Sequence, residues 1–415
     1  MRGDVLSEPL PGIQMKRRPR IAIAGAGVAG ALLAGLLKDR ADLEIVVYER
    51  VGKDDHSHSG TGLNVGPNAM KALATANPDL ERTVRAESFA WARWTVDLVD
   101  GTTLMDLDLA RVADNSGIRI RWSQLYRLLR AFAGDAIRYC SSVASAVPHE
   151  NGVDLRIADA TSGADIACDS VDLLVVAEGR FSPLRDLLFG PMATNYVGAA
   201  TFRVLIDGIA DPAACPIGDY GQWFNGPNRI LAYQVPGSAV YGSGSFPLAI
   251  DAKLTDDLKQ PDFLRALYTP ASGTLCPSAA FMVEHIVRNT ERIHWARLQE
   301  GGLVYAHPSR RVLALGDAAH PMVPTLGQGA TQAVEDACAA AHVLRAALRE
   351  GRPLAEIPDA IAALRTERVR ACMEFSRQAS DTMLAGSDPV EDTRWKTQLA
   401  FLARLSELYR DVAFA

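Results

Sequence analysis

A glycine-rich turn between an apolar strand and a helix is the feature that most constrains the fold of this chain. Residues 20–24 (RIAIA) form an apolar run that ends at Gly25, and residues 28–38 then take up the periodicity of a helix. A second apolar segment, residues 43–49 (LEIVVYE), ends in an acid. This order predicts a strand, a turn, a helix and a second parallel strand, the βαβ unit of doubly wound folds.

The turn between the strand and the helix reads Gly25-Ala26-Gly27-Val28-Ala29-Gly30, a complete G-x-G-x-x-G. The first glycine permits the tight turn, the second lets the backbone approach a pyrophosphate, and the third lets the helix pack closely on the strand. Glu49 follows 24 residues after Gly25, where its carboxylate can accept both ribose hydroxyls and disfavours a 2′-phosphate. We therefore expect FAD or NAD here, bound by Gly25, Gly27, Val28, Ala29, Gly30, Glu49 and Arg50.

A second motif lies near the C-terminal end of the α/β pattern, in residues 313–336 (LALGDAAHPMVPTLGQGATQAVED). A buried strand runs into Gly316-Asp317, a loop rich in proline and glycine follows, and a helix begins after Gly327. Asp317 can accept a hydrogen bond from a ribityl hydroxyl, and the free N–H groups of the helix N-terminus would stabilise negative charge on a reduced flavin. Taken alone, the pattern fits any anion site between a strand and a helix.

Together, the two motifs resemble the signatures of single-component FAD-dependent aromatic hydroxylases of the para-hydroxybenzoate hydroxylase type, over residues 20–350. The resemblance implies that Asp317 binds the ribityl chain, that Pro324 lies against the isoalloxazine, and that amides at Gly329 and Ala330 face the pyrimidine ring. It also implies the chemistry of that family. NAD(P)H reduces FAD, O2 gives a flavin C4a-hydroperoxide, and an electron-rich ring attacks the distal oxygen.

In that family an arginine at the start of the helix at residues 122–133 reaches the FAD ribityl chain and phosphate. Arg119 and Arg121 compete for this role, and Arg121 is preferred because it is nearer to the helix. Val143, on the following strand, stands where the family places a backbone contact to adenine. The G-P-N-A-M-K end of the loop at residues 60–71 is similar to 6-hydroxynicotinate 3-monooxygenases.

A third family signature, D-G-x-x-S-x-x-R, occurs after a buried strand as residues 178–185 (EGRFSPLR). Ser182 and Arg185 match it, but Glu178 replaces the leading aspartate. We therefore leave Glu178 out of the expected site, and the loop can equally be held by its own polar side chains.

The substrate end is expected in a β-rich segment that begins near residue 196. Its polar side chains should line the cavity, with Arg203, Tyr220, Gln222, Arg229 and Tyr241 binding substrate and Tyr233 acting in catalysis. His320 could serve as a base or proton relay, or be a packed structural histidine. Each tyrosine and arginine also has a structural reading, as a core ring or a solvated cation.

The pattern predicts an α/β chain with a Rossmann-like FAD-binding domain, an inserted β-rich substrate domain and C-terminal helices. The FAD-binding domain takes residues 20–90, 117–190 and 305–350, and the substrate domain takes residues 91–116 and 191–304. Residues 1–19 are expected to be a flexible leader and residues 351–415 a helical segment. This segment could form a homodimer face or pack on the FAD-binding domain.

Composition excludes several classes of protein. The net charge of −6 disfavours a nucleic-acid partner, and the six scattered cysteines show no metal-ligand or disulfide pattern, as in a reduced cytoplasmic chain. No apolar run reaches the roughly 18 residues of a membrane span. The expected function is hydroxylation of a phenolic or hydroxypyridine carboxylate with NAD(P)H and O2. The alternatives are an FAD-dependent oxidase or dehydrogenase, an epoxidase of a non-aromatic substrate, or a redox-inactive flavin-binding protein.

Overall fold

A computed structural model describes residues 17–55, 61–412 and 414, so most of the predicted leader lies outside the described residues. The strands, β1 to β18 in chain order, are Arg20–Ala24, Glu44–Tyr48, Gly62–Val65, Phe89–Trp91, Arg93–Leu98, Thr103–Asp108, Gly117–Arg121, Ile137–Arg138, Ser141–His149, Gly152–Asp159, Asp165–Val171, Leu173–Val176, Asn195–Ile206, Tyr220–Asn225, Asn228–Val235, Ala239–Pro247, His294–Glu300 and Val312–Ala314. The helices, α1 to α11, are Val28–Leu37, Pro67–Ala76, Pro78–Ala86, Trp122–Ala133, Pro183–Phe189, Pro261–Tyr268, Pro277–Arg288, Gln328–Glu350, Ile357–Gln378, Pro389–Arg394 and Leu399–Arg410.

A five-stranded parallel sheet in the order β18-β12-β1-β2-β8 forms the centre of the FAD-binding part. Helix α1 is apolar all round and buried along its whole length, because it packs against the sheet, α4 and α8. Strands β1 and β12 lead into the glycine turn and the 178–185 loop, while Asp317 lies three residues beyond the end of β18. The Rossmann-like α/β fold predicted from the sequence is confirmed, and its ligand-binding edge is the carboxyl end of these strands.

A seven-stranded sheet in the order β17-β13-β16-β15-β14-β5-β6 forms the second layer. The hairpin β5–β6 joins it through parallel pairing of β5 with β14, where Trp94 lies opposite Tyr220. Helices α6 and α7 cover one face, with Met282 and Leu264 packed on Phe202 and Ile230. The other face is left to the cavity described below.

The sequence predicts one helix over residues 67–86 and a helical C-terminal segment, and the structure differs from the first prediction. The helical stretch at residues 67–86 is two helices, because Pro78 starts a new one and Asn77 caps it by accepting from the Leu80 N–H at 2.9 Å. In the C-terminal segment, α9 packs on α8 and α11 packs on α2. The segment therefore covers the FAD-binding part.

No helix in the described ranges has both the length and the apolar character needed to cross a membrane. Within the same ranges, no cluster of three or more His, Cys, Asp or Glu side chains is arranged to hold a metal ion.

Candidate active site

A cavity of about 760 Å³ joins the glycine turn to the seven-stranded sheet, a size within the usual range of about 300–1,000 Å³ for ligand sites. Of the residues predicted to bind the cofactor, it is lined by Gly25, Gly27, Val28, Ala29, Glu49, Arg50, Val143, Asp317, Pro324, Gly329 and Ala330. Of the residues predicted at the substrate end, it is lined by Arg203, Tyr220, Arg229, Tyr233 and Tyr241. Both predicted sets therefore meet around one space.

The three glycines of the turn have different structural tasks. Gly25 has φ +96°, and a Cβ there would lie 2.6 Å from the Ala177 carbonyl oxygen. A Cβ on Gly30 would lie 2.0 Å from the carbonyl oxygen of Gly25. At Gly27 the nearest atom to a Cβ would be 3.8 Å away. Gly25 and Gly30 thus serve the fold, whereas Gly27 leaves room beside the N-terminus of α1 for a ligand.

Glu49 and Arg130 form a buried pair behind this turn. The Glu49 carboxylate accepts hydrogen bonds from the Ala26 N–H at 2.6 Å and the Val51 N–H at 3.1 Å. Arg130, on α4, approaches Glu49 at 3.6 Å and donates from Nε to the Ala26 carbonyl oxygen, but its Nη1 is buried without a partner among the described residues. An unpartnered guanidinium N–H at a glycine turn fits a bound phosphate.

The sequence analysis missed Arg130, although a signal was present. Arg130 lies on the buried side of an amphipathic helix, three residues before the buried Ala133. An arginine in such a position needs a partner, and the cavity can supply one.

The structure does not bring Arg121 or Arg119 to the cavity. Arg121 donates to the Pro236 carbonyl oxygen at 2.9 Å and pairs with Asp207 at 2.8 Å. Arg119 donates to the Gly218 carbonyl oxygen at 2.7 Å. The two arginines are alternate residues of β7, so they point to the same face and both contact the loops of the seven-stranded sheet. The role expected of Arg121 thus has no support in its contacts.

The second motif presents Asp317 and the N-terminus of α8 to the cavity. Asp317 faces the cavity, to which its side chain is exposed, and the protein around the cavity raises the pKa of its carboxyl group. Helix α8 begins after Gly327, whose φ is +65°, and no side chain caps its first N–H groups. Beside it, the Asn64 amide nitrogen is buried without a partner in the described chain. These free donors fit an acceptor-rich ring such as the pyrimidine of a flavin.

His320 does not reach the cavity. Its Nε2 lies 2.6 Å from a carboxylate oxygen of Asp336, and the side chain is completely buried. Asp336 also accepts from the Tyr305 hydroxyl at 2.8 Å and the Gly316 N–H at 3.0 Å. The base or relay role predicted for His320 is therefore replaced by a structural one, because its ring bonds to a residue of α8 and not to the ligand space.

His320 belongs to a buried ionic cluster that we call the α8–α9 network, made of His320, Glu335, Asp336, Arg365 and Arg368. Arg365 pairs with Glu335 at 2.7 Å and with Asp336 at 2.9 Å, and Arg368 pairs with Glu335 at 2.7 Å. Burial alone would raise the pKa of Asp336, but His320 and Arg365 outweigh it and hold the pKa well below its usual range. The carboxylates stay charged and tie α9 to Gly316, the first residue of the loop at residues 316–327, which we call the flavin loop because its motif resembles the flavin signature.

The cavity face of the seven-stranded sheet is built by alternation along its strands. It presents Thr201 and Arg203 of β13, Tyr220 of β14, Arg229, Leu231 and Tyr233 of β15, and Tyr241 and Ser243 of β16. The rings of Tyr220 and Tyr233 stack at 5.6 Å, and those of Tyr233 and Tyr241 lie 4.8 Å apart. The result is an aromatic wall suited to a flat ring.

Gln222 shares this face in sequence but does not line the cavity. Its amide is buried and donates to the Tyr220 hydroxyl at 3.4 Å, so it supports the wall from behind.

Two tyrosines of the wall, Tyr220 and Tyr233, are neutral at physiological pH. Burial raises the pKa of Tyr220 to about 12 and that of Tyr233 well above 10. Tyr233 is therefore suited to donate a hydrogen bond to a substrate oxygen, and not to remove a proton as a base.

Arg229 is a buried cation without a counter-ion. Its Nε is buried and unpartnered, and no carboxylate of the described chain forms an ion pair with it. Burial lowers the pKa of its guanidinium group. Because an unpaired buried charge is costly, the position is suited to an anionic group of a ligand.

The loop of the third signature lies at the mouth of the cavity. Ser182 caps α5 by accepting from the Arg185 N–H at 2.9 Å and donates to Glu178 at 2.5 Å. Burial raises the pKa of Glu178. Phe181 projects from this loop with 81% of its surface exposed, while also lining the cavity. Ser182 and Arg185 thus hold the loop itself.

Comparisons with known proteins agree with this arrangement. Residues 284–376 match a family model described as an FAD binding domain. The chain is 30% identical over 372 residues to the 3-amino-4-hydroxybenzoate 2-monooxygenase PtmB3 of Streptomyces platensis, covering 87% of both chains. It is 26% identical over 340 residues to a 6-hydroxynicotinate 3-monooxygenase of Pseudomonas fluorescens, covering 80% of this chain and 84% of the relative.

Among solved structures, the chain resembles Klebsiella pneumoniae HpxO complexed with FAD and uric acid, with a TM-score of 0.73 and 22% identity. The match covers 94% of this chain and 93% of the other. At this identity the likeness concerns the fold.

Proposed function

The chain belongs to the FAD-dependent aromatic monooxygenases, and from this premise we propose that it hydroxylates a phenolic or hydroxypyridine ring that carries a carboxylate. The reductant is NAD(P)H and the oxidant is O2, as is typical of the family. The observation that carries the proposed substrate class is Arg229, a buried cation on an aromatic wall for which the described residues provide no counter-ion.

The residues at the other end of the cavity suit FAD. The N-terminus of α1 and Arg130 would hold the pyrophosphate, Glu49 the adenosine ribose, and Asp317 the ribityl chain. The N-terminus of α8 would face the flavin ring. When bound, FAD supplies the hydride acceptor and the activation of O2.

The residues of the sheet orient the substrate. A carboxylate at Arg229 would form charge-assisted hydrogen bonds, and the ring would pack on Tyr220, Tyr233 and Tyr241. The Tyr233 hydroxyl would donate to a ring oxygen. The mostly buried wall keeps bulk water from the reacting ring, which limits loss of oxidising equivalents as hydrogen peroxide.

The test compares wild type with Arg229→Gln on hydroxybenzoates, hydroxypyridine carboxylates and their carboxamides. NAD(P)H consumption, product mass and hydrogen peroxide are recorded. Loss of the charged hydrogen bonds, worth about 1.5–3 kcal/mol, should raise KM for the carboxylates about 10- to 150-fold. KM for a carboxamide should change little. Arg288→Gln, at an exposed arginine on α7, is the matched control.

Two results would count against the proposal. Equal effects of Arg229→Gln on carboxylates and carboxamides would show that Arg229 does not bind an anion. NAD(P)H oxidation that yields only peroxide with every ring would favour the oxidase alternative.

Cytoplasmic location and a homodimer stay predictions. The dimer can be checked by light scattering of the purified protein, where a mass of one chain would contradict it.

A further inference from the structure

The turn that follows α9 lies between the two halves of the active site. This turn consists of residues 379–383 and is called the 379–383 turn below. Ser380, Thr382 and Met383 are buried, although the turn is distant in sequence from the chain segments that line the cavity. Nothing in the proposed chemistry uses these residues directly, so their burial calls for a structural reason.

On one side, the turn bonds to the loop that carries Pro324. The Ser380 hydroxyl donates to the Ser376 carbonyl oxygen at 2.9 Å. Its oxygen is then the acceptor for the hydroxyl of Thr325. Thr325 is buried and is not a lining residue of the cavity, whereas its neighbour Pro324 is. The bond therefore fixes the flavin loop from behind.

On the other side, the turn contacts the substrate sheet. The Ser245 hydroxyl donates to Met383 Sδ at 3.2 Å. Ser245 is paired with Arg229 across β15 and β16 and with Thr201 across β13 and β16. The same short turn thus contacts the strand position beside the proposed anion site.

Lys396 fixes the turn in place. The residue is 4% exposed, and its ammonium group donates to the Ala379 carbonyl oxygen at 3.2 Å, Asp381 at 3.1 Å and Thr382 Oγ1 at 3.3 Å. All three donors of the lysine are used within five residues. Asp381 is also held by the Trp395 indole N–H at 2.7 Å. Such a fully satisfied cation specifies one conformation of the turn.

We propose that Thr325 and Lys396 are positioning residues that set the flavin loop against the substrate sheet through the 379–383 turn. The hydroxylation step needs the ring and the flavin at a fixed separation, and a misplacement of about 1 Å can cost about a hundredfold in rate. The inference rests on aromatic hydroxylation at this cavity but not on the carboxylate at Arg229. A failed Arg229 test would therefore leave it standing.

The experiment uses Thr325→Val holoenzyme, which removes the hydroxyl at almost constant volume. Bound FAD, kcat, KM and product formed per NAD(P)H are measured with the best substrate of the panel. FAD should be retained with a Kd within about twofold of wild type, because Thr325 does not line the cavity. The value of kcat should fall about tenfold with little change in KM, and peroxide should replace part of the product.

Two further variants separate positioning from general packing. Thr393→Val is the matched control, since Thr393 is buried in the same C-terminal region and its hydroxyl has no partner in the described chain. Thr325→Ser restores the hydroxyl and should restore the yield of product. If Lys396→Met folds, it should show the same loss of kcat and of product as Thr325→Val. If it does not fold, the result for Thr325→Val alone decides the proposal. Wild-type coupling and kcat in Thr325→Val, or equal losses in Thr325→Val and Thr393→Val, would overturn the proposal.

Discussion

At the scale of single residues, Asp317 places a carboxylate on the wall of the cavity, where its side chain is exposed. The protein around the cavity raises the pKa of this carboxyl group, while water in the open cavity limits the cost of its charge in the apoprotein. A raised folded-state pKa means that this group favours folding below its unfolded pKa of about 3.9, and that this contribution is lost as pH rises through the folded value.

Asp317→Asn should therefore give an apoprotein that melts at most slightly higher than wild type at neutral pH, because water in the open cavity solvates the carboxylate, and the difference should narrow on acidification. FAD should bind at least about tenfold more weakly, because a charge-assisted hydrogen bond is lost. Thermal melting of the apoprotein and FAD titration measure the two effects. Asp256→Asn, at an exposed side chain, should change neither. An Asn variant that keeps full FAD affinity would contradict the ribityl role.

The sequence predicted Gly27 and Asp317 at the cavity because motif spacing along one strand and one helix fixes them. It placed Arg121 at the cavity incorrectly because the partner of Arg121, Pro236, is distant in sequence. For His320 the sequence left a catalytic and a structural role open, and the tertiary contact with Asp336 favours the structural one. Arg130 was missed although its place on the buried side of α4 was a local signal.

At the scale of elements, substitutions in the glycine turn can separate its contribution to the fold from its contribution to ligand binding. Gly27→Ala would meet no atom closer than 3.8 Å in the apoprotein, so it should cost at most about 1 kcal/mol of unfolding free energy, as a poorer helix cap. Its methyl group would occupy space beside the phosphate site. FAD affinity should fall while the apoprotein stays folded.

Gly30→Ala should behave in the opposite way. Its Cβ would lie 2.0 Å from the Gly25 carbonyl oxygen, so the turn and α1 must move apart. Overpacking of this kind costs about 1–3 kcal/mol or more, and the apoprotein itself should melt lower. Urea unfolding of both apoproteins and FAD titration test the contrast. Equal stabilities of the two variants would contradict the division of tasks.

Elements were predicted well where one pattern is long and regular. The βαβ unit and α8 are of this kind. The break at Pro78 shows the limit, since helical periodicity continues across it while the proline starts a new helix. The parallel pairing of β5 with β14 could not be predicted from local sequence. The alternating pattern and the Asp100-Gly101 turn predict only that β5 and β6 pair with each other.

At the scale of the whole molecule, the α8–α9 network ties the C-terminal segment to the flavin loop. Burial alone would raise the pKa of Glu335, but the effect of Arg365 and Arg368 is larger, so the pKa is lowered. The pKa of Asp336 is lowered in the same way, by His320 and Arg365. Depressed carboxylate pKa values stabilise the fold above the unfolded values, and this stabilisation is lost as pH falls.

Arg365→Met should cost about 3–5 kcal/mol at neutral pH, because it leaves buried carboxylates without their partner. The difference from wild type should shrink on acidification, when these carboxylates take up protons. Denaturant unfolding across a pH series measures this, with Arg370→Met, at an exposed arginine of α9, as the control. A cost independent of pH would mean that packing, and not charge, makes the contribution.

The strand order of the central sheet has a consequence for how the protein is made. Strand β1 leaves the ribosome well before its neighbour β12 and the outer strand β18. At about 5–20 residues per second, β18 follows β1 by roughly 15 to 60 s. For about the first half of this time the apolar β1 lacks one side of its sheet and the glycine turn lacks its floor at Ala177, and Asp317 follows only after β18, so the cavity can take up FAD only after β18 has been made. When FAD is scarce in the cell, β1 should already be paired before the cofactor is needed. The yield of folded enzyme should therefore fall at a step after synthesis.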